Sequence, residues 1–397
     1  MLPEAREKEL IEFCRAAIRL KSLSGQEGPM ADFLSGTMRR LKYDSVEVDR
    51  YGNVAGRIVL GKGGGKLLME GHMDHVDVAD PSLWRHDPYG AEVEDGKIYG
   101  RAASDMKGNL CAMVLAAAFL AEDEKNALNG ELIVAGSVHE ECFEGVASEE
   151  IGKKWAPDMV VIGEASNLSV KRAQRGRAEV VAETLGRSAH SSNPSAGVNA
   201  VRKMAKLIAA VERDFRPPRH SVLGEGILEV TDVISSPYPG ASVIPGLCRA
   251  TFDRRLLVGE TEEDVLAPFN EIFRSLSAED EDFQARAFLA DGQDTCYTGL
   301  KIEAKRFAPG WLFEADHPFV RKAVEGLEAI GQTPELSHYA FCTNGSYYAG
   351  KAGIPTIGYG GSLERLAHVA DEYIEIDQLV KACEGYRAIA RAAAAEA

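Results

Sequence analysis

Three short apolar runs in this chain each end in residues that can do chemistry, and this constrains its fold more than any other feature. Leu67-Leu68-Met69 leads through Glu70-Gly71 to His72 and Asp74. Residues 132–138 end in His139-Glu140-Glu141, and residues 159–162 end in Gly163-Glu164-Ala165. Runs of this length, bounded by turn residues, read as buried strands. Between the first two lies an almost wholly apolar, Ala-rich stretch, residues 110–120, expected to be a helix buried on more than one side. Strands alternating with helices, with polar residues at the strand C-terminal ends, predict an α/β domain whose site lies beyond those ends.

The chain has 397 residues, more than one ordinary domain holds. Helices are expected over residues 4–19 and 30–41, and strands over 45–48 and 54–59. The glycine-rich Lys62 to Lys66 reads as a turn, because no helix opening with Lys-Ser/Thr follows it. From about Gly176 the texture changes. A strand over 178–185 is followed by a Ser/Gly/Asn-rich loop, 186–197, that holds His190. A helix over 198–212, strands over 227–231 and 248–257, a helix over 260–276 and a strand over 282–289 complete a β-α-β-β-α-β order. That order predicts a ferredoxin-like α+β sandwich. Alternating α/β texture then resumes, with a helix over 319–330, a strand over 353–359 and a last helix from 376 to about 396. The expected organisation is one discontinuous domain, 1–175 with 299–397, interrupted by an insert, 176–298.

Within the first of these domains, candidate metal ligands fall in loops or at element ends. His72 and Asp74 stand two residues apart, so in a strand they share a face. Gly100 to Gly108, GRAASDMKG, places Asp105 in a small-residue loop before the apolar helix. Glu141, Glu164 and His368 complete the set. Two imidazoles and three carboxylates suit zinc, cobalt or manganese better than calcium or magnesium. Five ligands exceed one tetrahedral ion with an open position and suit a pair sharing a bridging carboxylate. Glu140, beside a ligand, is the free carboxylate expected to take a proton from the attacking water. The blander reading of His139-Glu140-Glu141 is a solvated acidic loop in a chain with 61 acidic residues.

The formal net charge of -16 argues against nucleic-acid and anionic-membrane partners. No apolar run is read as approaching the roughly 20 residues that span a bilayer, and the charged start lacks a signal-peptide core. Seven cysteines, scattered and never in a C-x-x-C pair, suit reduced thiols and a cytoplasmic location.

In the blocks GHMDHVDV, GRAASDMKG, HEE, GEAS, GRSAHSSNPSAGVNA, FDRRLLVGET and AHVADEY, taken in order, the sequence resembles the co-catalytic dizinc exopeptidase and deacylase family. That family includes acetylornithine deacetylase, succinyl-diaminopimelate desuccinylase, aminoacylase-1 and carboxypeptidase G. The likeness covers essentially the whole chain, and within the family it is most similar to a branch of hydrolases associated with selenium and purine catabolism. It implies a zinc-exopeptidase-like catalytic domain with an inserted ferredoxin-like lid that also forms a homodimer. It implies two divalent ions, Zn2+ with Co2+ or Mn2+ as alternatives. His72 and Glu164 would hold one, Glu141 and His368 the other, with Asp105 bridging. Asp74 would orient His72, Glu140 would be the general base, and His190 would reach a site across the dimer to stabilise an oxyanion.

The family pattern D-x-R followed by Gly is met by Asp253, Arg255 and Gly259, which makes Arg255 the candidate reader of a substrate carboxylate, with Gly360 and Asn344 as further substrate contacts. Three positions depart from the family's pattern. Ala102 stands where the second Gly of GRG is usual, Ser242 precedes Val243-Ile244-Pro245 where Asn is common, and Asn344 stands where Asp is frequent. The expected activity is hydrolysis of an amide bond in a small carboxylate-bearing substrate, that is, N-acyl amino-acid deacylation. Dipeptidase or carboxypeptidase activity is the alternative, and a non-catalytic binding protein on the same fold is the alternative of another class.

Overall fold

In the computed structural model, which describes residues 2–394, contacts divide the chain into two units. The first runs to Gln174 and takes up again over Gln293–Glu303 and from Trp311; the second comprises Arg175–Gly292 and Ala304–Gly310. The expected insert differs at its C-terminal side. Residues 293–298 go with the first unit, where the Tyr297 hydroxyl donates to Gly52 O (3.0 Å) and Thr298 Oγ1 to Arg50 O (2.9 Å). The second unit regains 304–310 because the strand Phe307–Ala308 pairs with the strand Gly176–Leu185.

The first unit is built on a 9-stranded sheet. Its centre is parallel: Lys66–His72 lies between Glu131–Ser137 and Met159–Ile162, and Thr356–Gly358 follows beside the last. The register sets His72 opposite Ser137 and Glu70 opposite Ile162. The loops that follow these strands therefore leave from one edge of the sheet. On the Glu131–Ser137 side the sheet turns antiparallel through Val54–Val59 and Ser45–Val48. Both of these strands have the bounds expected from the sequence.

Leu68, Ile133, Ala135 and Val160 pack with Ile151, Tyr347 and Tyr348 on one face of this sheet. On the other face, Gly71 and Gly163 leave room for Met113: a Cβ at Gly71 would lie 2.3 Å from Met106 Cε, and one at Gly163 2.6 Å from Met113 Cε. The glycine before His72 thus lets the apolar helix Gly108–Glu124 close on the sheet. Contrary to the reading of the sequence, this helix with its preceding turn, Ala103–Glu124, is long and apolar enough to cross a membrane. It is instead buried in the unit, packed against the helices Glu4–Ile18 and Ile376–Ala394. The far end of the predicted last helix, past 394, lies outside the described residues.

In the second unit the main sheet runs Ile227–Ser236, Leu247–Leu256, Gly176–Leu185, Gln284–Leu289, every pair antiparallel. Numbered along the chain that is 2-3-1-4, the order of a ferredoxin-like sandwich. The helices Ala200–Asp214 and Glu262–Glu279 supply Met204, Leu207, Val265, Phe269 and Phe273 to a core shared with Val180, Ala250 and Phe252. Asn199 caps the first helix and Thr261 with Asp264 forms a capping box on the second.

Candidate metal centre

One strand end and four connecting segments bring the candidate ligands together. His72 closes its strand fully buried, with Nδ1 2.9 Å from the Asp74 carbonyl oxygen. With Nδ1 donating to that carbonyl, Nε2 is the ring nitrogen left for a metal. Nε2 faces Asp105 Oδ1 at 3.0 Å, Glu164 Oε1 at 3.4 Å and Glu140 Oε2 at 4.0 Å. Asp105 turns its other oxygen to His368: Nε2 lies 3.1 Å from Oδ2, and 3.0 Å from Glu141 Oε2. One oxygen of Asp105 thus faces each histidine. The ligand atoms of His72, Glu140 and Glu164 all lie within 4.8 Å of one another, as do those of His72, Asp105 and Glu141.

The electrostatics follow from four carboxylates meeting two imidazoles. Burial, then repulsion from Asp105, pushes Glu141 and Glu164 each up to about 7. Burial also raises Glu140 well above the usual range, with Glu164 and Glu141 adding to it against the pull of His72. Burial would raise Asp105 too, but hydrogen bonds from His368 and His72 outweigh it and hold this carboxyl low. Hydrogen bonds to Asp105 and Glu141 lift His368 to about 10. Buried Glu140 Oε1 has no hydrogen-bond partner among the described residues. An orphaned carboxylate oxygen and an excess of buried anionic groups, with N and O donors, fit a pair of divalent cations.

Asp74, expected to orient His72, meets it through its backbone. The contact to His72 at hydrogen-bond distance comes from its carbonyl, and its carboxylate is 3.6 Å away. That carboxylate accepts from Ser24 Oγ (2.7 Å), Glu140 N (3.1 Å) and Glu141 N (3.2 Å). It therefore also fixes the peptide carrying Glu140 and Glu141. Two residues not anticipated act in the same way. Glu27 Oε1 accepts from Gly25 N (3.0 Å) and His139 N (3.1 Å), and Glu372 accepts from the amides of Ser104 and Asp105. The available signal was an acid in a small-residue or turn segment, too common to single out.

Gly360 and Asn344, expected as substrate contacts, are both engaged within the chain. The Gly360 amide donates to Ser166 Oγ (2.9 Å), and a Cβ there would lie 2.5 Å from Glu164 O. This glycine lets two loops touch. Buried Asn344 donates to Glu70 Oε1 (3.0 Å) and Ser137 Oγ (2.9 Å) and accepts from Gly145 N (2.7 Å), which uses both its N–H groups and one acceptor site of its oxygen. An Asp there would set a second carboxylate against buried Glu70. Ala102 adopts a left-handed φ of 69°, which favours glycine, so the departure at this position carries backbone strain.

In the second unit, His190 is exposed and its Nδ1 lies 2.7 Å from Ser192 Oγ. Along Leu247–Leu256 the buried positions are 248, 250, 252, 254 and 256. It is therefore Arg254 that faces the core, paired with Glu260. Arg255, the expected reader of a substrate carboxylate, lies on the opposite face with Nε 2.7 Å from Asp253 Oδ1.

The family model for peptidase family M20/M25/M40 matches residues 68–392. The chain is 32% identical over 389 residues to the uncharacterized protein YgeY of Escherichia coli (strain K12), covering 96% of this chain and 93% of that one. It is 30% identical over 338 residues to an acetylornithine deacetylase of Pectobacterium carotovorum subsp. carotovorum (strain PC1), covering 81% and 78%. Among solved structures, aminopeptidase PepT from Bacillus cereus ATCC 10987 superposes with a TM-score of 0.75 at 20% identity over 98% of this chain and 99% of that one. The Bacillus subtilis YXEP protein, described as a dinuclear metal binding peptidase, superposes with a TM-score of 0.72 at 13% identity over 98% of each.

Proposed function

The chain belongs to peptidase family M20/M25/M40, and from that premise we propose that it is an N-acyl amino-acid deacylase holding two zinc ions. The observation that carries this reading is Glu140: a buried carboxylate with one unpartnered oxygen, set at the edge of a two-histidine, three-carboxylate cluster. His72 and Glu164 would hold one ion, Glu141 and His368 the other, and Asp105 both. Such a pair supplies charge to polarise the scissile carbonyl and to make a water acidic at neutral pH.

The chain's own residues do the rest. Glu140 accepts the proton of the attacking water at Oε1 and hands it to the departing amine nitrogen. Its burial favours the protonated form, which suits it to carry that proton between the two steps. Asp74 keeps Glu140 in place through its backbone amide. His190 of a second copy would donate to the oxyanion, which makes the working form a homodimer built through the second unit. Arg255 would read the substrate's α-carboxylate, in competition with Asp253. Seven scattered cysteines, never in a C-x-x-C pair, accord with a cytoplasmic enzyme.

Zinc- or cobalt-loaded protein assayed against N-acetyl, N-succinyl and N-carbamoyl amino acids and against dipeptides tests the proposal. Preferential cleavage of acylated amino acids is expected. Preference for dipeptides would make it a dipeptidase, and tight binding without turnover of any of these would make it a binding protein.

A further inference from the structure

Asp105 can serve two cations only if its carboxylate stays edge-on between His72 and His368, and its own backbone does not secure that. The turn Ala103–Lys107 leaves helical geometry at Asp105 (φ -124°, ψ 89°) and Met106 (φ -137°, ψ 28°). The amides of Ser104 and Asp105 both turn to a side chain from the far end of the chain. Glu372 Oε1 accepts from Ser104 N at 2.8 Å and from Asp105 N at 3.0 Å. Its Oε2 accepts from Arg101 Nη1 at 2.6 Å, and Arg101 lies over the Trp84 ring, 5.1 Å from its centroid. Glu372 has no exposed surface and Arg101 almost none. Gly100 N donates to Glu372 O at 2.8 Å, and Ser104 Oγ lies 2.7 Å from Ser362 Oγ, so the same two segments are joined at three places.

We infer that Glu372 is a positioning residue that holds Asp105 as the shared carboxylate and couples its loop to the one bearing His368, with Arg101 as the counter-charge. This rests on the reading of the centre as a two-metal site. Glu372 lies four residues after His368, so one short segment carries both a ligand of one cation and the clamp on the carboxylate common to both. A buried carboxylate is needed for its two jobs at once: one oxygen takes two N–H groups, the other takes a guanidinium. Glutamine keeps the first and fails the second, because its NH2 would face the Arg101 Nη1 donor. Removing the guanidinium as well removes that conflict and returns the amide oxygen to the two backbone N–H groups.

The test is calorimetric titration of Zn2+ into chelator-stripped protein, comparing wild type, Glu372→Ala, Glu372→Gln and Glu372→Gln/Arg101→Met, with melting temperatures measured metal-free. Wild type should bind two ions. Glu372→Ala should weaken binding about 10- to 100-fold, the usual effect of losing a group that orients a ligand. Glu372→Gln should also weaken it, and the double variant should recover most of the loss. A merely structural role would lower the melting temperature and leave the affinity of the folded protein unchanged, which overturns the inference. So does a double variant no better than Glu372→Gln, and this comparison decides the matter if Glu372→Ala does not fold. A wild type that binds no ion overturns the two-metal reading and this inference together. Two ions in wild type with unchanged affinity in Glu372→Ala overturns only the inference.

Discussion

The two units handle buried acid in opposite ways. In the second, Glu183 is almost fully buried on its strand and is flanked by Arg249 (2.7 Å) and Arg286 (2.7 Å). Asp280 sits between Lys203 and Lys206, each at 2.6 Å, and their hydrogen bonds bring its carboxyl down to about 2. Arg254, the arginine that faces the core, has Glu260. In the first unit, Asp105, Glu140, Glu141 and Glu164 converge, and their close cationic partners are the imidazoles of His72 and His368. Acid paired with a guanidinium or ammonium group is stable as it stands. Acid gathered in excess at one place stores unfavourable energy that protonation or an added cation relieves, and that is how a site is built at the expense of stability.

The sharpest way to break this comparison is at Glu140, the one carboxylate of the cluster argued to remain free for proton transfer. Glu140→Ala should lower kcat by about 10^2- to 10^4-fold, the span of general acid–base effects, with both metals retained. Metal analysis beside steady-state kinetics decides it. Loss of metal with partial survival of activity would exchange the roles of Glu140 and Glu141.

Next in size is removal of the cations. If buried acid in the first unit awaits metal, chelation should destabilise that unit by about 4 kcal/mol when the free ion had stood near 1,000 times its Kd. Hydrogen exchange would locate the loss in the loops bearing residues 105, 140–141, 164 and 368, with the second unit unmoved. Equal loss of protection in the sheet carrying Glu183 would erase the distinction.

Much of this contrast was legible beforehand. The apolar runs ending in His72, Glu140-Glu141 and Glu164 announced parallel strands with a shared C-terminal edge, and the ligand candidates meet there. Strand Val170–Gln174 escaped notice because its sequence, VKRAQ, is charged; Lys171 is buried there against Glu364 at 2.7 Å. The structural roles of Gly360 and Asn344 went unseen for a related reason. They are carried by a backbone amide and by a side-chain amide with both N–H groups and its oxygen bonded within the chain, and spacing along a chain does not reveal such partners. The same holds for Glu27 and Glu372, which grip peptides distant in sequence, and for the alternation at Arg254 and Arg255, where the choice of face depends on the register of a neighbouring strand.

Glu27 offers a finer probe, because it is a buried acid outside the cluster with no cation of its own at hydrogen-bond distance among the described contacts. Burial, then repulsion from Asp74, lifts it from an ordinary 4.5 to about 7. With the folded value above the unfolded one, its contribution to stability is complete below about pH 4.5 and is lost as pH rises through 7. Glu27→Gln removes this titration while its amide oxygen can still accept from the amides of Gly25 and His139. Metal-loaded Glu27→Gln should match or slightly trail wild type at pH 4.5 and exceed it by about 1–3 kcal/mol at pH 8. Denaturant unfolding at the two pH values measures this, and parallel curves would show that Glu27 stays ionised.

The smallest effect should come from the second unit, where neutralisation is shared. Arg286 is 65% exposed and Arg249 50%, so each bond to Glu183 competes with water on its guanidinium side, and either arginine alone can balance the charge. Glu183 itself is only 2% exposed, so the carboxylate cannot turn to solvent if both are lost. Arg286→Ala should therefore cost about 0.5 kcal/mol, within the range of exposed ion pairs. Arg249→Ala/Arg286→Ala should cost more than the sum of the single changes, because only the pair of substitutions leaves buried charge unmatched. Activity and metal content should stay at wild-type levels throughout, since these arginines serve the sheet. Additive losses would mean that Glu183 is rescued by water or by protonation, and the second unit would then tolerate unpaired acid as the first does.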